Sequence, residues 1–247
     1  MKLLIMSGGM THPYAVTTPI IEDFLKAAGY DVSVTEDASI LTEPAKMKGY
    51  DALVFNTVRD NSFRFNHGLF TWSENEQVGI KDFISSGKGL VCLHYACYLP
   101  YNWLDYHDIT GGGWIDGKSF HPPYGKVTVN VSDPKHPGVR GVADFTTYDE
   151  LYMGLAERDG NDVFITGTCE DFPGGSFPLG WTRKYGDGKI KIGNIENNRR
   201  SSAPSPRMSI RHECTTIREV KYVLYNMESI GGLWPGKHYH LIRKRVS

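Results

Sequence analysis

The first hundred residues alternate short apolar runs with amphipathic helical spacing, and this alternation restricts the fold more than any other feature of the chain. Residues 2–6 form an apolar run closed by Ser7-Gly8-Gly9, the pattern of a buried strand. Residues 18–28 place Ile20, Ile21, Phe24 and Leu25 on one side of a helix stopped by Gly29. Residues 30–36 and 52–56 read as strands. Residues 73–86 open with Ser73 and Glu76 at capping-box spacing, carry Val78, Ile80, Phe83 and Ile84 as a core face, and end at Gly87. Residues 89–94 (GLVCLH) form the next strand. Strands joined by helical crossovers imply a parallel sheet covered on both faces. In such sheets ligands bind beyond the carboxyl ends of the strands. Segments 7–13, 56–66 and 94–100 leave those ends, so they are expected to meet in space.

Beyond residue 101 the pattern becomes richer in β-structure. Residues 127–131 (VTVNV) and 163–167 alternate as strands, and 179–182 with 189–193 read as a hairpin around Tyr185-Gly186-Asp187-Gly188. Residues 197–206 (NNRRSSAPSP) have the composition of a loop. Residues 217–227 carry Ile217, Val220, Val223, Leu224 and Met227 on one helical face. The expected organisation is one α/β domain over residues 1–196. A basic segment, 197–247, follows, its single helix packed on that domain.

With 40% hydrophobic and 22% charged residues, the composition is that of a globular soluble chain. The formal net charge of −1 favours neither nucleic acid nor an anionic membrane as partner. Residues 1–188 carry 15 basic and 24 acidic side chains, whereas residues 189–247 carry 12 and 4. The basic end reads first as a solvated face complementing the acidic body, and second as a docking surface for an acidic partner. No apolar run approaches the roughly 20 residues that span a bilayer, and the start has no signal-peptide pattern. Cys92, Cys97, Cys169 and Cys214 lack CxxC spacing, so a zinc ribbon is not expected. A cytoplasmic location with reduced thiols follows as the expectation.

The polar chemistry gathers in residues 87–152, which hold His94, His107, His121 and His136. His94 stands at a strand end, where an imidazole can serve as acid, base or anchor. Cys92, flanked by Val91 and Leu93 rather than by glycines, reads as a small buried hydrophobe and not a nucleophile. Cys97 falls on the following loop and is expected to be exposed. In the run Asp149-Glu150-Leu151-Tyr152, strand alternation turns Glu150 and Tyr152 to one side and Asp149 to the other. A carboxylate beside His94 would complete a pair for proton transfer. Trp103, Trp114 and Trp181 could supply flat walls for a sugar ring, although core packing is the commoner place for a tryptophan. His12 follows Gly8-Gly9, where backbone amides can approach a ligand oxygen, although the spacing matches no phosphate loop. His136-Pro137 reads as a structural turn. No HExxH or comparable spacing fixes a metal, so none is assigned, while the residue types leave a divalent ion open.

Taken together, SGGMTHPY, GKGLVCLHYA, ITGGGW with FHPP, VTVNVSDPKHPGVRGVADF, DELY and PLGWTRKYGDGK resemble the ThuA-like (trehalose utilisation) family from about residue 2 to about residue 188. The resemblance implies a flavodoxin-like sheet of the class I glutamine-amidotransferase-like kind, without its cysteine elbow. It also implies carbohydrate metabolism, plausibly on keto-sugar derivatives of disaccharides. By that match His12, His94, His121, Glu150 and Tyr152 line the pocket. The chain departs from the family after the hairpin: KIKIGNIENN stands where Gly-His is usual, with Glu196 and Asn197 as nearest equivalents. The clean apolar face of 217–227 favours a divergent terminus over a shifted reading frame.

The expected function is therefore acid–base chemistry on a sugar or keto-sugar, giving isomerisation, elimination or hydrolysis. His94 and Glu150 would be catalytic, and His12, His121, Trp114, Tyr152, Asp149 and Trp181 would contact substrate. No organic cofactor is expected. The expected partner is a small carbohydrate, with neither nucleic acid nor membrane, and self-association remains open. Two rivals stand beside this reading: a non-catalytic sugar-binding or regulatory module, and a scaffold recruiting an acidic partner through the basic terminus.

Overall fold

A computed structural model describes residues 1–9, 12–59 and 71–193. The described elements run, in chain order, β1 (Lys2–Gly8), α1 (Tyr14–Ala27), β2 (Asp31–Thr35), α2 (Pro44–Met47), β3 (Ala52–Thr57), α3 (Glu74–Ser85), β4 (Gly89–Leu93), α4 (Tyr106–Thr110), β5 (Gly112–Gly113), β6 (Gly125–Val131), β7 (Phe145–Asp149), β8 (Ala156–Glu157), β9 (Asp162–Cys169), β10 (Phe177–Tyr185) and β11 (Gly188–Gly193). Short 3-10 turns cover Ala38–Thr42, His94–Cys97 and Pro137–Val139. The boundary near residue 196, the 217–227 helix and the basic terminus lie outside the described residues.

Nine strands form one sheet in the order β2-β1-β3-β4-β11-β10-β9-β6-β7, and β5 pairs separately with β8. The pairs β1–β2, β1–β3, β3–β4 and β4–β11 are parallel; β10–β11, β9–β10, β6–β9 and β6–β7 are antiparallel. The parallel half has the 2-1-3-4-5 order of flavodoxin-like folds, whose switch point lies between β1 and β3. The β-rich second half extends the same sheet with four antiparallel strands, in which the β6–β7 hairpin pairs through β6 with β9. Strand β7 ends at Asp149, so of the run 149–152 only its first residue lies in a strand.

Strand alternation divides the core. Leu4, Met6, Leu53, Phe55, Leu90, Cys92, Ile190 and Ile192 face a large cluster that includes α3 and α4. Leu3, Ile5, Ala52, Val54, Val91 and Leu93 face α1 through Ile21 and Leu25. Burying side chains of that size stabilises the fold by roughly 1.5–3 kcal/mol each. Val127, Val129, Phe164, Ile165, Leu179 and Leu151 form a third cluster under the antiparallel half.

Two helical faces differ from the expected ones. Helix α1 starts four residues earlier and buries Tyr14, Thr18, Ile21 and Leu25, a regular three-to-four-residue stripe that leaves Ile20 exposed. Helix α3 has the expected capping box between Ser73 and Glu76, but Val78 lies off its buried face of Ile80, Phe83 and Ile84. The expected exposure of Cys97 is also corrected. It is buried inside the turn that follows β4, and burial pushes its thiol pKa up.

Helix α3 packs closely on the Ala38–Thr42 turn. A Cβ on Gly79 would stand 2.0 Å from the carbonyl oxygen of Leu41. Alanine is the better helix former by about 1 kcal/mol, but a backbone collision of this kind typically costs about 1–3 kcal/mol and wins. Gly79→Ala is therefore expected to lower the urea-unfolding stability. An unchanged midpoint would show that the helix can slide away from the turn.

Candidate functional site

The site starts from three breaks in regular structure, two at the carboxyl ends of parallel strands and one after the antiparallel edge strand β7. The loop after β1 carries His12. The turn after β4 begins with His94, and its backbone φ of +49° makes it the sole described non-glycine residue in the left-handed region. Such a conformation costs on the order of 1 kcal/mol and persists only where its surroundings enforce it. The third break follows β7, where Glu150 and Tyr152 leave the sheet.

A polar knot holds the first break. Ser7 Oγ lies 2.6 Å from Thr18 Oγ1, and the Asn56 amide donates to Thr17 and Thr18 hydroxyls at 2.9 Å. These bonds tie α1 to the ends of β1 and β3 and so set the height of the His12 loop. The second break is held by His107, whose Nε2–H donates to the Cys97 carbonyl at 3.0 Å, and by Tyr106, whose hydroxyl donates to the Ala96 carbonyl at 2.8 Å.

The glycine run 111–113 closes the site from the side. A Cβ at Gly113 would fall 2.0 Å from the Cys97 carbonyl oxygen, and one at Gly112 would fall 1.9 Å from that of Ala156. Only glycine lets this segment slot between the His94 turn and β8. The next residue, Trp114, is thereby set edge-on to Tyr152, with ring centroids 4.8 Å apart. The Trp114 indole N–H is buried and has no acceptor among the described residues.

The breaks converge. Tyr152 Oη is 2.7 Å from His94 Nε2, and the two rings stack at 4.5 Å. His12 meets His94 edge-on at 4.9 Å. His12, His94 and Glu150 each offer a ligand atom, all within 4.8 Å of one another, and could hold a metal ion. His121 Nε2 is 3.7 Å from Glu150 Oε2, while its Nδ1 lies 2.7 Å from the Pro122 carbonyl. A carbonyl can only accept, so Nδ1 carries a hydrogen and a neutral His121 turns a lone pair toward Glu150. This arrangement can move a proton and can hold an oxygen-rich ligand against aromatic faces.

Of the residues singled out in the sequence, the structure brings together His12, His94, Trp114, His121, Glu150 and Tyr152. One other is elsewhere. Trp181 is a buried member of the large core, and its indole N–H donates to the Thr110 carbonyl at 2.8 Å, which corrects its expected place at a sugar ring. Asp149, the last residue of β7, is buried, and its carboxylate accepts the Glu150 backbone N–H at 2.7 Å. It shapes the turn that presents Glu150. His136 has its expected structural role, its Nδ1 accepting the Gly138 N–H and its ring stacked on Phe164 at 4.4 Å. Cys92 lies in the core, 3.6 Å from the Tyr106 hydroxyl, as its apolar flanks indicated.

Sequence reasoning missed Tyr14, Tyr95 and Tyr98. Tyr95 contacts the rings of His12, Tyr98, Trp114 and Tyr152. Its signal was adjacency to His94 at the strand end.

The family model described as trehalose utilisation, ThuA, matches residues 2–194. The chain belongs to the ThuA family. That membership supports a carbohydrate-related role. Among solved structures, the chain is similar to a protein described as ThuA-like from Parabacteroides merdae. Identity is 19%, covering 94% of this chain and 90% of that one, with a TM-score of 0.70. It is also similar to a cytoplasmic protein of Salmonella typhimurium, at 17% identity over 91% of this chain and 98% of that one, with a TM-score of 0.56. A β-galactosidase of Rahnella shares the fold over 29% of its own length and 80% of this chain, at 15% identity and a TM-score of 0.53. No curated protein matches the chain. No helix among the described residues is long and apolar enough to cross a membrane.

The packing of His107 under the His94 turn makes a pH dependence. Burial lowers its pKa from 6.5 to about 4. The unfolded chain therefore binds a proton between about pH 6.5 and 4 that the folded chain does not, so stability falls as pH drops through this window. The loss approaches about 3 kcal/mol at pH 4. Urea titrations across this range should show it, and His107→Gln should flatten the slope. A slope unchanged in the variant would assign the effect to other groups.

Proposed function

We propose that the cluster binds a sugar or keto-sugar derived from a disaccharide and transfers a proton at the carbon beside its carbonyl. Family membership supports the carbohydrate, and one observation carries the chemistry: His94, Glu150 and His12 present their donor atoms within 4.8 Å of one another at the strand ends. His94 acts as base or acid beside the Glu150 carboxylate. Tyr152 holds the His94 ring by its hydroxyl. The faces of Trp114, Tyr95 and Tyr152 suit the apolar face of a sugar ring. Proton removal gives an enediolate. Its reprotonation yields isomerisation, and loss of a neighbouring substituent yields elimination.

The Glu196-Asn197 pair standing where Gly-His is usual favours a second reading, a sugar-binding module without turnover. The scaffold reading depends on the basic terminus, which lies outside the described residues.

Trehalose and its keto derivatives in deuterated water are the test. Deuterium exchange at the carbon beside the carbonyl, or product formation, is expected. His94→Ala should cost about 100-fold or more in rate. Activity unchanged in that variant removes the mechanism, and saturable binding without exchange or product selects the module.

A further inference from the structure

The three donors come from separate segments: the loop after β1, the turn after β4, and the residue following β7. Their mutual distances of no more than 4.8 Å therefore result from tertiary packing and not from local sequence. An ion of the zinc class binds nitrogen and oxygen at about 2.0–2.2 Å, which sets its ligand atoms roughly 3–3.5 Å apart. Closing the observed triangle takes side-chain shifts on the order of 1 Å. The donor set is selective: two imidazoles and one carboxylate suit Zn²⁺ and its first-row neighbours, whereas Ca²⁺ and Mg²⁺ need more oxygen ligands than the three donors supply.

The surroundings fit an ion as well. Tyr14, Tyr98, Trp114 and Tyr152 form a buried aromatic shell beside the donors, which lowers the local dielectric and strengthens bonds to a cation. Metal-binding imidazoles characteristically donate their other ring N–H to a neighbour, which fixes the tautomer and the ring orientation. His94 has such a bond, 2.7 Å to the Tyr152 hydroxyl. Its left-handed backbone further fixes the ring's direction. Three protein ligands leave a coordination position open, as sites that act on bound oxygens do.

We propose that His12, His94 and Glu150 bind a single transition-metal ion of the zinc class, with Tyr152 as the residue that positions His94. The ion takes lone pairs through which His94 and Glu150 otherwise accept protons, so the loaded site polarises a ligand oxygen where the empty one exchanges protons. His121, beside Glu150, remains as the nearest base.

Tag-free full-length protein stripped by chelator and titrated with Zn²⁺ and Co²⁺ tests this without any sugar. One ion per chain is expected, with the visible ligand-field bands of a low-coordinate Co²⁺ complex. His12→Gln, His94→Gln and Glu150→Gln should each weaken binding more than about 100-fold. Tyr152→Phe should weaken it about 10- to 100-fold and shift the Co²⁺ spectrum. Glu157→Gln, on the remote strand β8, should bind as wild type does. Circular dichroism and thermal unfolding confirm that each variant is folded, and Glu150→Asp serves should Glu150→Gln fail to fold. Sub-stoichiometric binding by wild type, or wild-type affinity in any folded ligand variant, overturns the proposal. Failure here leaves the proton-transfer reading standing, and failure of sugar turnover leaves this one standing.

Discussion

The hydrogen bond between Tyr152 and His94 joins the two halves of the molecule at the point where their chemistry meets. His94 belongs to the parallel half, at the end of β4; Tyr152 belongs to the chain leaving β7, at the far edge of the antiparallel half. Fifty-eight residues separate them in sequence. The bond is buried, so leaving either group without its partner would cost roughly 1–3 kcal/mol of desolvation. The left-handed backbone at His94 is sustained by the same contact, by the His107 and Tyr106 bonds to the turn, and by the close approach of the 111–114 segment.

The neighbouring features serve that junction. Glycines 112 and 113 remove the Cβ atoms that would hold the Trp114 segment away from the Cys97 and Ala156 carbonyls. Asn56 and Thr18 set the loop of His12 from the opposite side. Asp149 fixes the backbone of Glu150 and so presents it. The site is thus assembled by groups that never touch a ligand, most of them buried and polar. Their satisfaction by named partners gives the cluster its rigidity.

A second polar group within the apolar core has no part in this cluster. Lys191 on β11 is buried, lies over the Phe164 ring at 5.5 Å, and has its pKa lowered to about 7 by burial. Its Nζ lies 3.4 Å from the Gly138 carbonyl, beneath the turn that His136 organises. Burying an amine in this way favours its neutral form in the folded chain. Lys191 therefore adds stability as pH rises from about 7 toward 10.5, the opposite end of the scale from His107.

The parallel half was legible because its signals are local. Apolar runs ended by glycine, one capping box and two helical stripes need only neighbours in sequence to be read. His94 was legible for the same reason, because a strand end places it, whereas Glu150 and Tyr152 lie beyond the end of β7 and owe their placement to packing. The misplacement of Trp181 shows the limit. A tryptophan has the same sequence signature in a core as at a ligand, and which one it occupies depends on what packs opposite. Cys97 and Val78 exchanged their expected environments because burial is decided by the 111–113 segment and by the face α3 turns inward, both tertiary outcomes. Thus sequence alone determined the sheet, its crossovers and the residue types at the strand ends. Only the tertiary structure decided that His12, His94 and Glu150 stand within bonding reach of one ion, because that proximity comes from packing segments far apart along the chain.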